Sequence, residues 1–461
     1  MTLTTSVLAD PADLEPTLLY ERTYATRRRV TYVDAAVLLS FMFILLGVLP
    51  ARLIVPGATD LGRPSLLVGF ALFLWWVITR FSTSLAMQGP QPIRWAFFGW
   101  LAVLLVGYAV GFLRGLTSIE ANAADRTILY FCVFGGAVLT AADGLQNWVR
   151  LRSLLKALVG TATFVAAFGV VEYALNRDLS YLLLVPGLQE KGWTPTLEDR
   201  GAGARVASTT GHYIELAAYL ALVLPFALHF AIHARRPRER VVAITCAVII
   251  ASGIASTISR TGMVAIAIMF LALVPVWTWR MRYNIGIMIA GVLAAGMAAK
   301  PGLFNTLFHL FDNPTDNSSI SVRYERYPMA FKYIAERPWL GRGTGTWVSP
   351  QYQVMDNQWL DILLNNGFVG AIGYFALHVT AITVAWMALK RSNEPEVRHL
   401  CAALISTQFM GLIVAATFDS LGYLTYATTL GLTIGLCGTV WRLTHPARMV
   451  RTSATRPLLE R

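Results

Sequence analysis

The amino-acid sequence predicts an all-α protein: a polytopic bundle of about twelve transmembrane helices, with a large extracytoplasmic loop that holds a short amphipathic helix. Of its 461 residues 56% are hydrophobic and only 14% charged, with a mean hydropathy of +0.55. Soluble domains carry about 25% charged residues, so that class is excluded. Apolar runs recur along the whole chain, each near the roughly 20 residues that a helix needs to cross about 30 Å of hydrocarbon. The runs are continuous and rich in Leu, Ala, Val and Gly; a spanning β-barrel shows alternating segments of about ten residues instead.

Taken in order, residues 1–33 form a polar cytoplasmic tail that ends in Arg27, Arg28 and Arg29. They lack the apolar run and small-residue cleavage site of a secretory signal, so the first span serves as the targeting signal. The transmembrane domain covers 34–441. Spans are expected at about 34–55, 65–80, 95–113, 127–142 and 153–175, then near 212–233, 241–258, 262–279 and 284–300, and finally near 357–389, 399–417 and 420–441. A basic cytoplasmic tail, 442–461, closes the chain. Placing both tails in the cytoplasm puts 23 of the 38 Lys and Arg residues on that side. Only Arg52, Arg63, Arg114, Arg126 and Arg260 then fall in short outer connections, which is the bias the positive-inside rule requires. The net charge of +12 is thereby a topology signal, with no nucleic acid as partner. The four cysteines fall singly inside apolar runs with no C-x-x-C spacing and read as small buried hydrophobes.

This orientation turns two long polar loops outward, about 176–211 and 301–356, and chemistry is expected there. Arg260 stands in S-R-T-G (Ser259 to Gly262) between two apolar runs with almost nothing separating them. It reads either as an arginine snorkelling to the interface or as a functional cation, since a guanidinium fork suits phosphate oxygens. The first loop closes on Arg205 and S-T-T-G-H (Ser208 to His212), followed by Glu215. Part of that pattern is a helix start, and His212 and Glu215 share a helix face at their spacing of three.

The second loop opens on a turn and helix-start cluster, Asn313 to Ser319. With Pro328 in a first helical turn, Tyr327, Ala330, Phe331 and Ile334 give an amphipathic helix along the outer leaflet, ended by Arg337 and Pro338. Arg323, Arg326, Lys332 and Arg337 set positive charge beside the membrane, as an attraction to lipid head groups or as a clamp for a lipid diphosphate. G-R-G-T-G (Gly341 to Gly345) follows no strand and opens no helix, leaving a flexible turn or a backbone nest for phosphate. Asp356 and Asn357 then precede Leu360, Leu363, Leu364, Gly367 and Gly370 at spacings of three and four. Asp356 there is a helix N-cap or a catalytic carboxylate.

Four ordered segments resemble the superfamily of O-antigen ligases and O-antigen polymerases, bacterial membrane glycosyltransferases. They are T-G-H-Y-I-E-L-A-A-Y-L-A-L-V-L-P (Thr210 to Pro225), S-R-T-G, R-Y-E-R-Y-P-M-A-F-K-Y-I-A-E-R-P-W-L-G-R-G (Arg323 to Gly343), and D-N-x9-G-x-x-G from Asp356 to Gly370. The resemblance covers about residues 205–375. It implies a multi-pass inner-membrane protein that transfers a glycan from undecaprenyl diphosphate to an acceptor hydroxyl on the extracytoplasmic face, using no metal, no cofactor and no nucleotide sugar. It implies diphosphate-holding arginines at Arg260 and Arg323, and a base at Asp356 where the ligases carry histidine, a departure that leans toward the polymerase branch. Arg205, His212, Glu215, Arg326, Arg337 and Asn357 are the expected substrate-binding residues, with His212 the other candidate base. The chemistry demands cations where negative charge develops and a base for the attacking hydroxyl, and a single displacement inverts the anomeric carbon. The rivals are a ligase acting on a lipid, cell-wall or protein acceptor, and a transporter or flippase of lipid-linked sugars, for which ionisable residues deep in the spans are expected. Glu172 and Asp419 are the candidates for such residues.

Overall fold

The computed structural model describes residues 34–58, 62–81, 90–192, 197–200, 203–299, 302 and 318–445. The N-terminal tail, most of the C-terminal tail and the start of the second long loop, including Asn313, lie outside the described residues. Thirteen α-helices are described: α1 (Ala35–Val48), α2 (Pro64–Thr79), α3 (Pro92–Arg114), α4 (Ser118–Gly144), α5 (Trp148–Leu175), α6 (Tyr213–His233), α7 (Pro237–Ser256), α8 (Arg260–Leu273), α9 (Trp279–Ala299), α10 (Ser318–Glu336), α11 (Gln358–Arg391), α12 (Pro395–Val414) and α13 (Leu424–Leu443). Proline stands in the first turn of α2, α3, α7 and α12, where its missing N–H costs no hydrogen bond. Thr117 and Glu120 form a capping box on α4. Two short antiparallel pairs join them: β1 (Leu53–Ile54) with β2 (Gln189–Glu190), and β3 (Leu197–Arg200) with β4 (Gly203–Val206), in which Glu198 faces Arg205.

A helix occupies each of the twelve apolar runs. Seven of them, α3, α4, α5, α6, α7, α11 and α12, are long and apolar enough to cross a membrane alone; α1, α2 and α8 are shorter apolar helices. Side chains such as Phe41, Leu74, Ile78, Ile372, Phe375 and Trp386 point outward, an apolar surface that only lipid satisfies. The protein is an integral membrane protein.

The centre of the bundle is α13, whose residues from Thr425 to Leu443 are all buried. It packs against α4, α6, α11 and α12. Because protein surrounds it, α13 tolerates Thr and Gly at many positions, and a Cβ on Gly435 would meet the Val138 carbonyl oxygen at 2.4 Å. Small residues at such contacts let backbones approach in membrane bundles.

The outer-loop helix differs from expectation. It begins at Ser318, so Pro328 lies in its interior, and its buried face is Ala330 and Ile334 with Tyr327 and Tyr333, set against Trp347, Met355, Leu360 and Leu364. Phe331 instead faces outward. Docking onto α11 selects the face here.

Candidate functional site

Asp356 does not cap α11. The cap is Asn357, whose Oδ1 accepts from the N–H groups of Trp359 at 3.0 Å and Leu360 at 3.3 Å. Asp356 sits one residue outside, at φ 49°, a left-handed conformation that costs a side-chain-bearing residue about 1–2 kcal/mol. Its carboxylate faces Arg326, with Nη1 to Oδ2 at 3.2 Å, and remains 43% exposed. The same Nη1 donates to the Val354 carbonyl at 2.5 Å, so α10 pins the chain on both sides of Met355.

A connection between α12 and α13 closes over this helix start. The Gln358 N–H donates to Ala415 O at 2.8 Å, the Asn357 N–H to Asp419 Oδ1 at 2.8 Å, and Leu421 N–H to Gln358 Oε1 at 2.7 Å. On its other side Thr261, the second residue of α8, donates to Thr417 Oγ1 at 3.0 Å. One loop therefore lies between the helix that Arg260 starts and the helix that Asp356 precedes. Arg260 is half-buried, with Nε and Nη2 shielded from solvent. The turn before it places Ile258, buried and β-branched, at φ 49°, an outlier of the kind that clusters at functional sites. Asp419 lies in the connection and not within a span, and Glu172 lies in the last turn of α5, accepting from the Leu179 N–H at 2.9 Å.

Tyr423 links this region to the other expected residues. Burial first, then the carboxylates of Glu215, Asp419 and Asp356, hold its phenol above the usual tyrosine range, so it stays a hydrogen-bond donor. Its ring centroid is 5.6 Å from that of His212. His212 is itself the N-cap of α6, Nδ1 accepting from the Ile214 N–H at 3.2 Å. Arg205 lies over the Tyr213 ring at 4.4 Å and donates to its hydroxyl. Glu215 turns inward, accepting from Gly211 N–H at 2.8 Å and Thr425 N–H at 2.7 Å beside the buried Arg63. That carboxylate joins α6 to α13. His212 thus stands beside Tyr423, Arg205 is stacked on the neighbouring Tyr213, and the carboxylates of Glu215 and Asp356 act on the Tyr423 phenol through their charge. Arg337 is exposed. Arg323 lies on α10 one turn before Arg326, with its side chain outside the described residues.

Sequence reasoning missed the cavity beside this rim. About 460 Å³ in volume, it is lined by Asp361, Asp419, Gln358, Arg126, Tyr130, Thr344 and Asn366 among apolar side chains of α3 and α4. Asn365 and Asn366 line it directly before α11 breaks at Gly367, φ 63°, a point at which a Cβ would stand 2.4 Å from the Trp339 carbonyl. The loop ahead of α11 satisfies the break: the amides of Phe368 and Val369 donate to Pro338 and Trp339, and the Leu364 and Asn365 carbonyls accept from Arg342 and Gly343. The amides of Gly341, Arg342 and Gly343 are therefore engaged by protein, which takes those three from a phosphate nest and fixes this part of the turn. All three glycines have positive φ, and Gly343 rides on Gly111 with no room for a Cβ. Within the cavity Asp361 accepts from Gln358 Nε2 at 3.0 Å and Asn365 Nδ2 at 2.9 Å. Its signal in the sequence was a carboxylate inside an otherwise apolar run, four residues after Asn357.

Residues 245–375 match the family model described as O-Antigen ligase. No curated protein matches the chain. The matched segment runs from α7 into α11 and takes in Arg260, Arg323, Arg326 and Asp356, while Arg205, His212 and Tyr423 lie beyond it. The resemblance read from the ordered motifs holds over this stretch. Over this stretch, well under half of the chain, the protein is similar to O-antigen ligases.

Proposed function

We propose that the protein polymerises or ligates oligosaccharide linked to a lipid diphosphate, on the extracytoplasmic face of the membrane, by one inverting displacement. Both termini are then cytoplasmic, and all twelve apolar helices cross the membrane. The observation that carries this reading is Asp356: strained, not used as a cap, held by Arg326, and joined through one loop to the start of the helix that Arg260 opens. Arg260 and Arg323 hold the diphosphate, where negative charge grows as the bond from the anomeric carbon to the phosphate oxygen breaks. Asp356 takes the proton of the acceptor hydroxyl as its oxygen bonds that carbon, and the lipid diphosphate departs. The adjoining cavity has the size of small-ligand sites and receives a sugar of donor or acceptor.

The test uses purified protein with lipid-diphosphate oligosaccharide, and mass spectrometry of the products. Asp356→Ala, Arg260→Ala and Arg323→Ala each abolish transfer while leaving the protein inserted and folded; unchanged product in all three would sink the reading. A longer lipid-linked chain identifies polymerisation, and glycan on a new carrier identifies ligation.

A further inference from the structure

At the opposite end of the bundle, three histidines that the transfer chemistry does not use converge. His229 and His233 stand one turn apart in the last two turns of α6, and His399 lies in the second turn of α12. We propose that they bind one divalent transition metal ion of the zinc class, which ties α6 to α12.

The geometry approaches that of a tetrahedral nitrogen site. Metal–nitrogen bonds of about 2.0–2.1 Å at tetrahedral angles set ligand nitrogens about 3.3 Å apart and imidazole centres about 5.2 Å apart. The three ring centroids stand 5.2, 5.3 and 5.3 Å from one another. The Nδ1 atoms of His229 and His399 are 3.2 Å apart, and one nitrogen from each ring lies within 4.8 Å of the others. His229 and His399 are buried, and the His233 Nε2 is buried with no hydrogen-bond partner. Three imidazoles with no carboxylate among the converging atoms favour zinc, copper or nickel over magnesium or calcium. The nearest charges, Arg152 and Glu396, pair with each other beside His233, leaving the fourth position to water.

Protons decide between this reading and a plain hydrogen-bonded trio. The Trp277 indole N–H donates to His399 Nε2 at 2.9 Å, so the His399 proton lies on Nδ1 and is donated to His229. An ion takes the place of that proton: His399 ligates through Nδ1, its proton passes to Nε2, and the indole loses its acceptor and turns away. Trp277 therefore opposes the metal-bound state, whereas in a trio without metal it supports the only state there is. The ion would lie about 30 Å from His212, the length of α6, so its binding is read independently of transfer.

The test is a cobalt(II) titration of the full-length protein in detergent after chelator treatment. Expected are one ion per chain, the intense visible absorption of a tetrahedral nitrogen site, displacement by zinc, and a higher thermal midpoint with zinc. His233→Ala, which removes no hydrogen bond, weakens binding at least about 100-fold, and Trp277→Phe binds as tightly as the parent or tighter. Zinc-edge X-ray absorption of the parent protein supplies a readout that needs no variant: three imidazole nitrogens at about 2.0–2.1 Å. Binding below about 0.2 ion per chain, unchanged affinity in His233→Ala, loss of binding in Trp277→Phe, or a shell with fewer than three nitrogens overturns the proposal.

Discussion

Replacing Asp356 by glycine separates catalysis from structure. The substitution relieves a left-handed strain of about 1–2 kcal/mol, and glycine adopts φ 49° without cost. Against that stand about 0.4–1 kcal/mol of added unfolded-chain entropy and an ion pair with Arg326 whose partners are 25% and 43% exposed, worth less than about 1 kcal/mol. The terms nearly cancel, so Asp356→Gly unfolds within about 1 kcal/mol of the parent. A general base contributes about 10²–10⁴ in rate, and transfer falls by that factor. Asn357→Ala gives the opposite pattern. It removes both cap hydrogen bonds, at about 1 kcal/mol, and transfer drops less than about tenfold, because Asn357 positions the helix without touching the reacting hydroxyl. Thermal unfolding in detergent reads stability, and the lipid-diphosphate assay reads transfer. Asp356→Gly retaining a tenth of the parent rate or more would refute the assignment.

Gly367→Ala forces a Cβ against the Trp339 carbonyl and fixes a residue at φ 63° where only glycine is relaxed; a loss of about 2 kcal/mol or more is expected as a lowered thermal midpoint. Arg63→Ala removes the guanidinium that donates to Thr425 Oγ1 at 3.2 Å and Leu46 O at 2.7 Å. It leaves the Glu215 carboxylate buried without its neighbouring cation, so a loss of about 3–5 kcal/mol and poor recovery of folded protein follow, with Arg63→Lys restoring only part. Asp361→Asn turns an amide nitrogen toward one of the two amide donors, Gln358 or Asn365, at a cost of about 1–3 kcal/mol. If the cavity receives sugar, its transfer KM rises by more than the stability loss explains.

Two carboxylates five residues apart show where the sequence stops informing. Asp356 was visible because it precedes a periodic apolar run, but the pattern does not distinguish a cap from a free carboxylate. That is decided by φ and by Asn357, whose side chain reaches the first-turn amides when that of Asp356 does not. Asp361 lies within the same run, and its role depends on Asp419, which comes 58 positions later and meets it only because the loop between α12 and α13 folds back over Gln358. The glycines of G-R-G-T-G gave a similarly ambiguous signal: the need for positive φ is local, whereas the reason for it, a broken α11 whose carbonyls need donors, lies more than twenty residues on.

What the sequence by itself determined was the membrane class, the positions of the apolar helices and the ordered motifs whose stretch is similar to O-antigen ligases. These rest on composition, run length and charge bias, properties each segment carries alone. Only the tertiary structure decided that Glu215 is a buried tie between α6 and α13, that Tyr423 lies beside His212 and within the field of Asp419 and Asp356, and that a cavity forms around Asp361 and Asp419. Those facts depend on which helices touch, and in lipid that is set by close packing and hydrogen-bond satisfaction between segments distant in the chain, not by the apolarity they share.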